Sequence, residues 1–164
     1  MREEEEASRN SGKPHLLNLN EDPLLDRKVI YDIPLENPLT CGRRKKDSEH
    51  KLQLGGMGIE PDHCKFIQAE DGTVTIIPLC TKAMNYIKVN GSNVQNRDGV
   101  VLKPNDRICI GPSAIFIFKH RDRDSEASMP DTDEDPISFD FASEEVINVE
   151  NAEQLEQEEI YKKQ

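Results

Sequence analysis

Arg107-Ile108-Cys109-Ile110-Gly111-Pro112-Ser113-Ala114-Ile115-Phe116-Ile117-Phe118 is two short apolar runs broken by a Gly-Pro turn. Each run has the length of a strand and is rich in the branched and aromatic side chains that suit a pleated surface. The same pattern repeats toward the N-terminus. Tyr86-Ile87-Lys88-Val89 runs into Asn90-Gly91, and Asp71-Gly72 separates His63–Ile67 from Thr73–Ile77 as a hairpin signal. Lys51-Leu52-Gln53-Leu54 alternates with period two into Gly55-Gly56. Val29–Ile33 precedes Pro34 and Pro38, Leu39-Thr40-Cys41 follows them, and His15–Leu19 ends at Glu21-Asp22-Pro23. Short strands at roughly ten-residue spacing, with no convincing helix between them, predict an antiparallel sandwich or barrel rather than βαβ units.

Outside this region the composition changes. Residues 122–164 hold 15 Asp/Glu against three Lys/Arg, a net −12 of the chain's −11, while 13–121 is +3. A segment so charged and so poor in apolar residues is expected to be a disordered acidic tail over 123–164. From Ser143-Glu144-Glu145 to Tyr161 it is a candidate start of a coiled coil. Residues 1–12 read as an N-terminal flanking segment, and 13–122 as the folded domain. No stretch approaches the ~20 apolar residues of a membrane span, and Met1–Glu6 lacks the apolar run of a signal peptide. A mildly basic core gives no reason to expect nucleic-acid binding. Cys41, Cys64, Cys80 and Cys109 form no C-x-x-C pair, so reduced thiols are expected, with no metal and no cofactor.

Little in the chain points to catalysis. The four histidines are scattered and the carboxylates are concentrated in the tail, where nothing would desolvate them. Gly55-Gly56-Met57-Gly58 lacks the following helix that a phosphate-cradling loop requires, and reads as a strand-to-strand loop. Arg43-Arg44-Lys45-Lys46 is the one dense basic cluster: a solvated loop, or a surface that receives an anion, with Arg43 held rigid behind Gly42. A disordered acidic tail would have a high effective concentration near that loop and could compete for it. His63 reads as a loop-pinning group. Asn90-Gly91 reads as a hairpin turn, or as an amide offered to a passing peptide backbone.

Gly42-Arg43 at a strand end, His63 opening a strand, Asn90-Gly91, and Asp106–Gly111 before a final strand together resemble the forkhead-associated (FHA) domain. Pro14–Pro23, Gly56–Cys64 and Val89-Asn90-Gly91 are similar to the FHA domain of the third kinesin family, the vesicle and organelle transporters. The resemblance covers about 110 residues. It implies an all-β fold, an FHA-type sandwich of two twisted antiparallel or mixed sheets with about eleven strands and ligand-facing loops at one end. It also implies that an ATP-driven motor domain lies upstream.

In the wider family an arginine and a serine three positions before the histidine hold phosphothreonine, and an asparagine grips the peptide main chain. The resemblance assigns ligand contact to Arg43 and Asn90 and a structural role to His63; with Arg44 and Lys45 of the basic cluster and with Glu60 these are the candidate ligand-binding residues, and Gly42 and Gly91 are structural beside His63. Glu60 stands where that serine would be. The expected function is a non-catalytic protein-protein interaction module of a kinesin-like motor, serving cargo or adaptor binding or motor regulation, without strong phosphothreonine dependence. The alternative is a phosphothreonine-peptide reader in signalling. Expected partners are a protein or peptide cargo adaptor, phosphorylated or not, or a neighbouring coiled coil. Nucleic acid, membrane insertion and direct microtubule contact are not expected, and the expected location is the cytoplasm, on the cytoskeleton.

Overall fold

The computed structural model describes residues 13–112 and 114–162. The flanking segment 1–12 lies outside the described residues. Eleven strands are formed: β1 His15–Leu19, β2 Ile30–Asp32, β3 Leu39–Arg43, β4 Leu52–Leu54, β5 Cys64–Gln68, β6 Val74–Pro78, β7 Ile87–Val89, β8 Ser92–Asn93, β9 Val100–Leu102, β10 Arg107–Ile110 and β11 Ala114–Lys119. They build a six-stranded sheet in the order β2-β1-β11-β10-β7-β8 and a five-stranded sheet in the order β4-β3-β5-β6-β9. Where register is defined the pairs are antiparallel, except that β3 runs parallel to β4 with Cys41 opposite Leu52. The expected sandwich of two antiparallel or mixed sheets is therefore what the chain forms, the six-stranded sheet antiparallel and the five-stranded one mixed.

Inward-facing side chains of the two sheets meet in one core, with Leu16, Leu39, Phe66, Ile76, Ile87, Ile108, Phe116 and Phe118 among its members. The strand directions sort the connections into two ends. Segments 20–29, 55–63 and 79–86 gather at one end with Gly111-Pro112 and the beginning of 44–51. Segments 69–73, 90–91 and 103–106 lie at the other.

The acidic segment departs from the expectation of disorder. It crosses the outer face of the six-stranded sheet and enters a 24-residue helix, α1 (Phe139–Lys162). Ser138 caps the helix, its Oγ accepting the Phe141 N–H at 3.1 Å. The outer sheet face is itself apolar: Leu17, Leu19, Cys109, Ile115 and Ile117 form a second cluster with Ile137 and Ala142, and Phe139 and Val146 pack against it. Phe139, Ala142, Val146 and Val149 recur three and four residues apart, which puts them on one helix face. A segment too polar to make a core of its own thus completes one that the sheet supplies.

Charge reinforces the docking. Arg27 and Lys119 both hold the Asp131 carboxylate. Arg107, itself buried, meets Glu145 through Nε at 3.0 Å and Nη2 at 2.6 Å and stacks on the Phe141 ring. Lys88 pairs with Glu150. Residues 151–158 stand clear of the sandwich, exposed on every side.

Candidate functional site

At the end where β3 stops, three loops are locked together. The Arg43 N–H bonds the Glu60 carbonyl at 3.0 Å, and Arg43 Nε donates to the Ile59 carbonyl at 3.1 Å. The guanidinium is therefore oriented by main chain while the residue stays exposed. Gly42 is required by close approach: a Cβ there would lie 2.1 Å from the Pro61 carbonyl oxygen and 2.3 Å from the His50 ring. His50 contributes what the sequence did not reveal. Its Nε2 lies 2.9 Å from the Pro61 carbonyl and 2.8 Å from Asp62 Oδ1, so it ties loop 44–51 to loop 55–63.

His63 is fully buried behind them. Its Nδ1 accepts the Glu60 N–H at 3.1 Å, which leaves the proton on Nε2, facing the Tyr86 carbonyl at 3.3 Å. Burial lowers its pKa, outweighing the Tyr86 carbonyl and the Glu60 charge, so the ring is neutral. Through it loop 55–63 is joined to the 3₁₀ turn Lys82–Tyr86, and the Tyr86 ring packs directly on Gly58.

Among the described residues Arg43, Arg44, Lys45 and Lys46 make no ion pair. Arg43 and Glu60 share backbone contact without pairing their charges, and the acidic segment places its carboxylates on Arg27, Lys119, Arg107 and Lys88 instead. The basic loop keeps a net positive edge.

Asn90 and Gly91 are not part of this end. The Asn90 amide donates to Asp106 Oδ1 at 3.0 Å and accepts the Arg107 N–H at 2.9 Å, so both its functions are consumed within the sheet. Gly91, at φ +88, is a seat for α1: a Cβ there would lie 2.8 Å from Val149 Cγ2 and 2.9 Å from the Glu145 carbonyl oxygen. β7 is three residues long, and Asn90 leaves it at the end opposite to Arg43. Asn85, exposed, lies in the 3₁₀ turn that leads into the other end of this strand, beside Tyr86. The Asn-Gly dipeptide drew attention to the wrong end. The usable signal was that a strand opened by the turn facing His63 must begin, not finish, at the ligand end.

The described residues contain no group of three or more His, Cys, Asp or Glu able to hold a metal ion. An antiparallel and a mixed sheet stacked face to face, with electropositive loops at one end, define a β-sandwich. Residues 39–111 match the FHA domain family. The chain is 37% identical over 150 residues to kinesin-like protein KIF14 of Homo sapiens, covering 88% of this chain and 9% of that one. It is 32% identical over 142 residues to kinesin-like protein KIF1A of Rattus norvegicus, covering 82% and 8%. Such matches span about a tenth of the relatives' length. Among solved structures, the MEK1 FHA domain superposes with a TM-score of 0.55 at 19% identity, over 72% of this chain and 98% of that one. The N-terminal FHA domain of S. cerevisiae Rad53p, in complex with a phosphothreonine peptide, superposes with a TM-score of 0.51 at 17% identity, over 67% and 94%. The chain carries an FHA domain of the kinesin-like group, a non-catalytic interaction module.

Proposed function

We propose that this domain binds a protein partner through the Arg43–Lys46 and Gly55–His63 loops as part of a kinesin-like cytoskeletal motor, and that it does so without strong dependence on phosphothreonine. The partner would be a cargo adaptor or a neighbouring coiled coil in the cytoplasm, and the ATP-driven chemistry would belong to a motor domain elsewhere in such a protein. The observation that carries the reading is the oriented but unpaired Arg43 guanidinium beside the Glu60 loop. It suits an anionic ligand. The Glu60 carboxylate, where the family resemblance places a serine hydroxyl, opposes a dianionic one. Two like charges ~4 Å apart repel by ~4 kcal/mol at an effective dielectric of ~20. A hydrogen bond to a charged group returns only ~1.5–3 kcal/mol.

Titration calorimetry with phosphothreonine peptides tests this. Wild type is expected to bind negligibly, and Glu60→Ser to gain affinity that Arg43→Ala removes. Tight binding by the unmodified domain would overturn it and favour the second reading, a phosphothreonine reader in which exposed Lys45 and Lys46 compensate for the lost hydroxyl. The phosphothreonine peptide held by the Rad53p domain supports that second reading.

A further inference from the structure

A hydroxyl stands directly beside the clasp that ties the acidic segment to the sandwich. Asp131 is buried between Arg27 and Lys119, and the next residue, Thr132, is exposed. It lies in a stretch without regular secondary structure between the 3₁₀ turn Arg121–Glu126 and α1. Pro136 disfavours helical geometry in the residue before it, which keeps α1 from growing back over this stretch. Thr132 Oγ1 accepts the Asp135 N–H at 3.0 Å, and among the described residues the hydroxyl donates no hydrogen bond. Asp133, Glu134 and Asp135 follow, all exposed and, among the described residues, in no ion pair. Neighbouring hydroxyls lack this freedom: Ser128 Oγ is engaged by the Arg107 guanidinium, and Ser138 caps α1.

We propose that Thr132 is a phosphorylation site for an acidophilic protein kinase, and that its phosphate opens the Asp131 clasp and loosens the docking of α1. The kinase reads the three carboxylates after the hydroxyl by charge complementarity. In the transfer Thr132 Oγ1 attacks the γ-phosphorus of ATP. An O–P bond forms, the bond from that phosphorus to its bridging oxygen breaks, ADP leaves, and the hydroxyl proton passes to the kinase's catalytic aspartate. The phosphate arrives where positive charge is already engaged. Residues 131–135 hold four carboxylates against Arg27 and Lys119. Phosphorylation adds about −1.5 to −2 to that set. Thr132 shares an open cleft with Lys119, Asn105 and Asp124, so the phosphate competes for the ammonium that holds Asp131 while Asp124 and Asp131 repel it. A nearly buried carboxylate that loses one of its two cations destabilises its own site. The Ile137 N–H also bonds Asp131 at 2.8 Å, and Ile137 belongs to the apolar cluster that α1 covers, so clasp and helix loosen together.

The test treats the 1–164 chain with an acidophilic casein kinase and Mg-ATP. Tandem mass spectrometry should find the phosphate on Thr132 and should not find it in Thr132→Val. Amide exchange is then compared between the phosphorylated and untreated chains. Complete loss of what lowers the Asp131 pKa from 3.8 to about 2 corresponds to a factor of ~60, so exchange across residues 137–149 should accelerate by at least about tenfold. Strands β3–β6 should be unaffected, and kinase treatment of Thr132→Val should change nothing. At ~1 M salt, where the screening length falls to ~3 Å, the acceleration should largely disappear. If the kinase leaves Thr132 unmodified, the site is wrong. If the phosphorylated chain exchanges at the same rate or more slowly, Lys119 accommodates the phosphate and the opening is wrong. An acceleration unchanged by salt overturns the electrostatic cause.

Discussion

Replacing Asp131 by Asn removes a charge while keeping the shape of the clasp between the acidic segment and the sandwich. The Asp131 side chain is 5% exposed. Arg27 reaches its two oxygens at 2.8 and 2.9 Å, Lys119 one of them at 2.5 Å, and the Ile137 N–H the other at 2.8 Å. Burial by itself pushes the carboxyl pKa up, but the hydrogen bonds from Arg27 and Lys119 overcome it and bring the pKa from 3.8 down to about 2. A tenfold change in proton affinity is worth ~1.4 kcal/mol, so folding favours the charged form by about 2 kcal/mol. Because the folded value is the lower one, this stabilisation is complete above the unfolded value and disappears as the pH falls toward 2. Urea unfolding at pH 7 should find Asp131→Asn about 2 kcal/mol less stable with the same m-value. By pH 3 the difference should shrink to about half. Amide exchange should locate the loss in residues 137–149. Equal midpoints at pH 7 would refute the reasoning, because the clasp would then contribute nothing beyond packing.

His63 has a folded pKa below its ordinary 6.5, so the unfolded chain binds its proton first, and stability should decline as the pH drops below about 6.5, a trend absent in His63→Gln. The comparison needs chemical denaturation between pH 5 and 7 on both proteins. Gly91→Ala forces a Cβ against Val149 and the Glu145 carbonyl at positive φ; it should cost ~1–3 kcal/mol and accelerate amide exchange in the docked half of α1 while leaving β3–β6 protected.

The sandwich was legible because each of its longer strands is bounded by turn chemistry that has one physical use. Two strands escaped notice for the complementary reason. β8 is only Ser92-Asn93, and β9 is the short Val100-Val101-Leu102 run between polar neighbours. α1 was hidden by composition. Its charges as far as Glu158 face solvent or the Arg107 and Lys88 side chains, and its few apolar residues are enough only because the sheet presents an apolar outer face. That face did leave a trace: Ile115–Phe118 is apolar without alternation and buried throughout, the mark of a strand covered on both sides. Of the ligand residues, Arg43 and Glu60 meet across two loops whose glycines and histidine the sequence exposed. Asn90 was misplaced because a dipeptide motif does not say at which end of a three-residue strand it falls.

The unsupported half of α1 gives the small docking face a mechanical reach. From Glu150 to Lys162 the helix extends ~20 Å beyond its last clasp, so tilting the docked half by ~10° would sweep the tip through ~3 Å. Lys88–Glu150 and Arg107–Glu145 sit near the fulcrum and act as detents, each favouring one angle. A small change of angle at the docked half would then be read out as a change in where the helix aims, a lever arm driven from its short end.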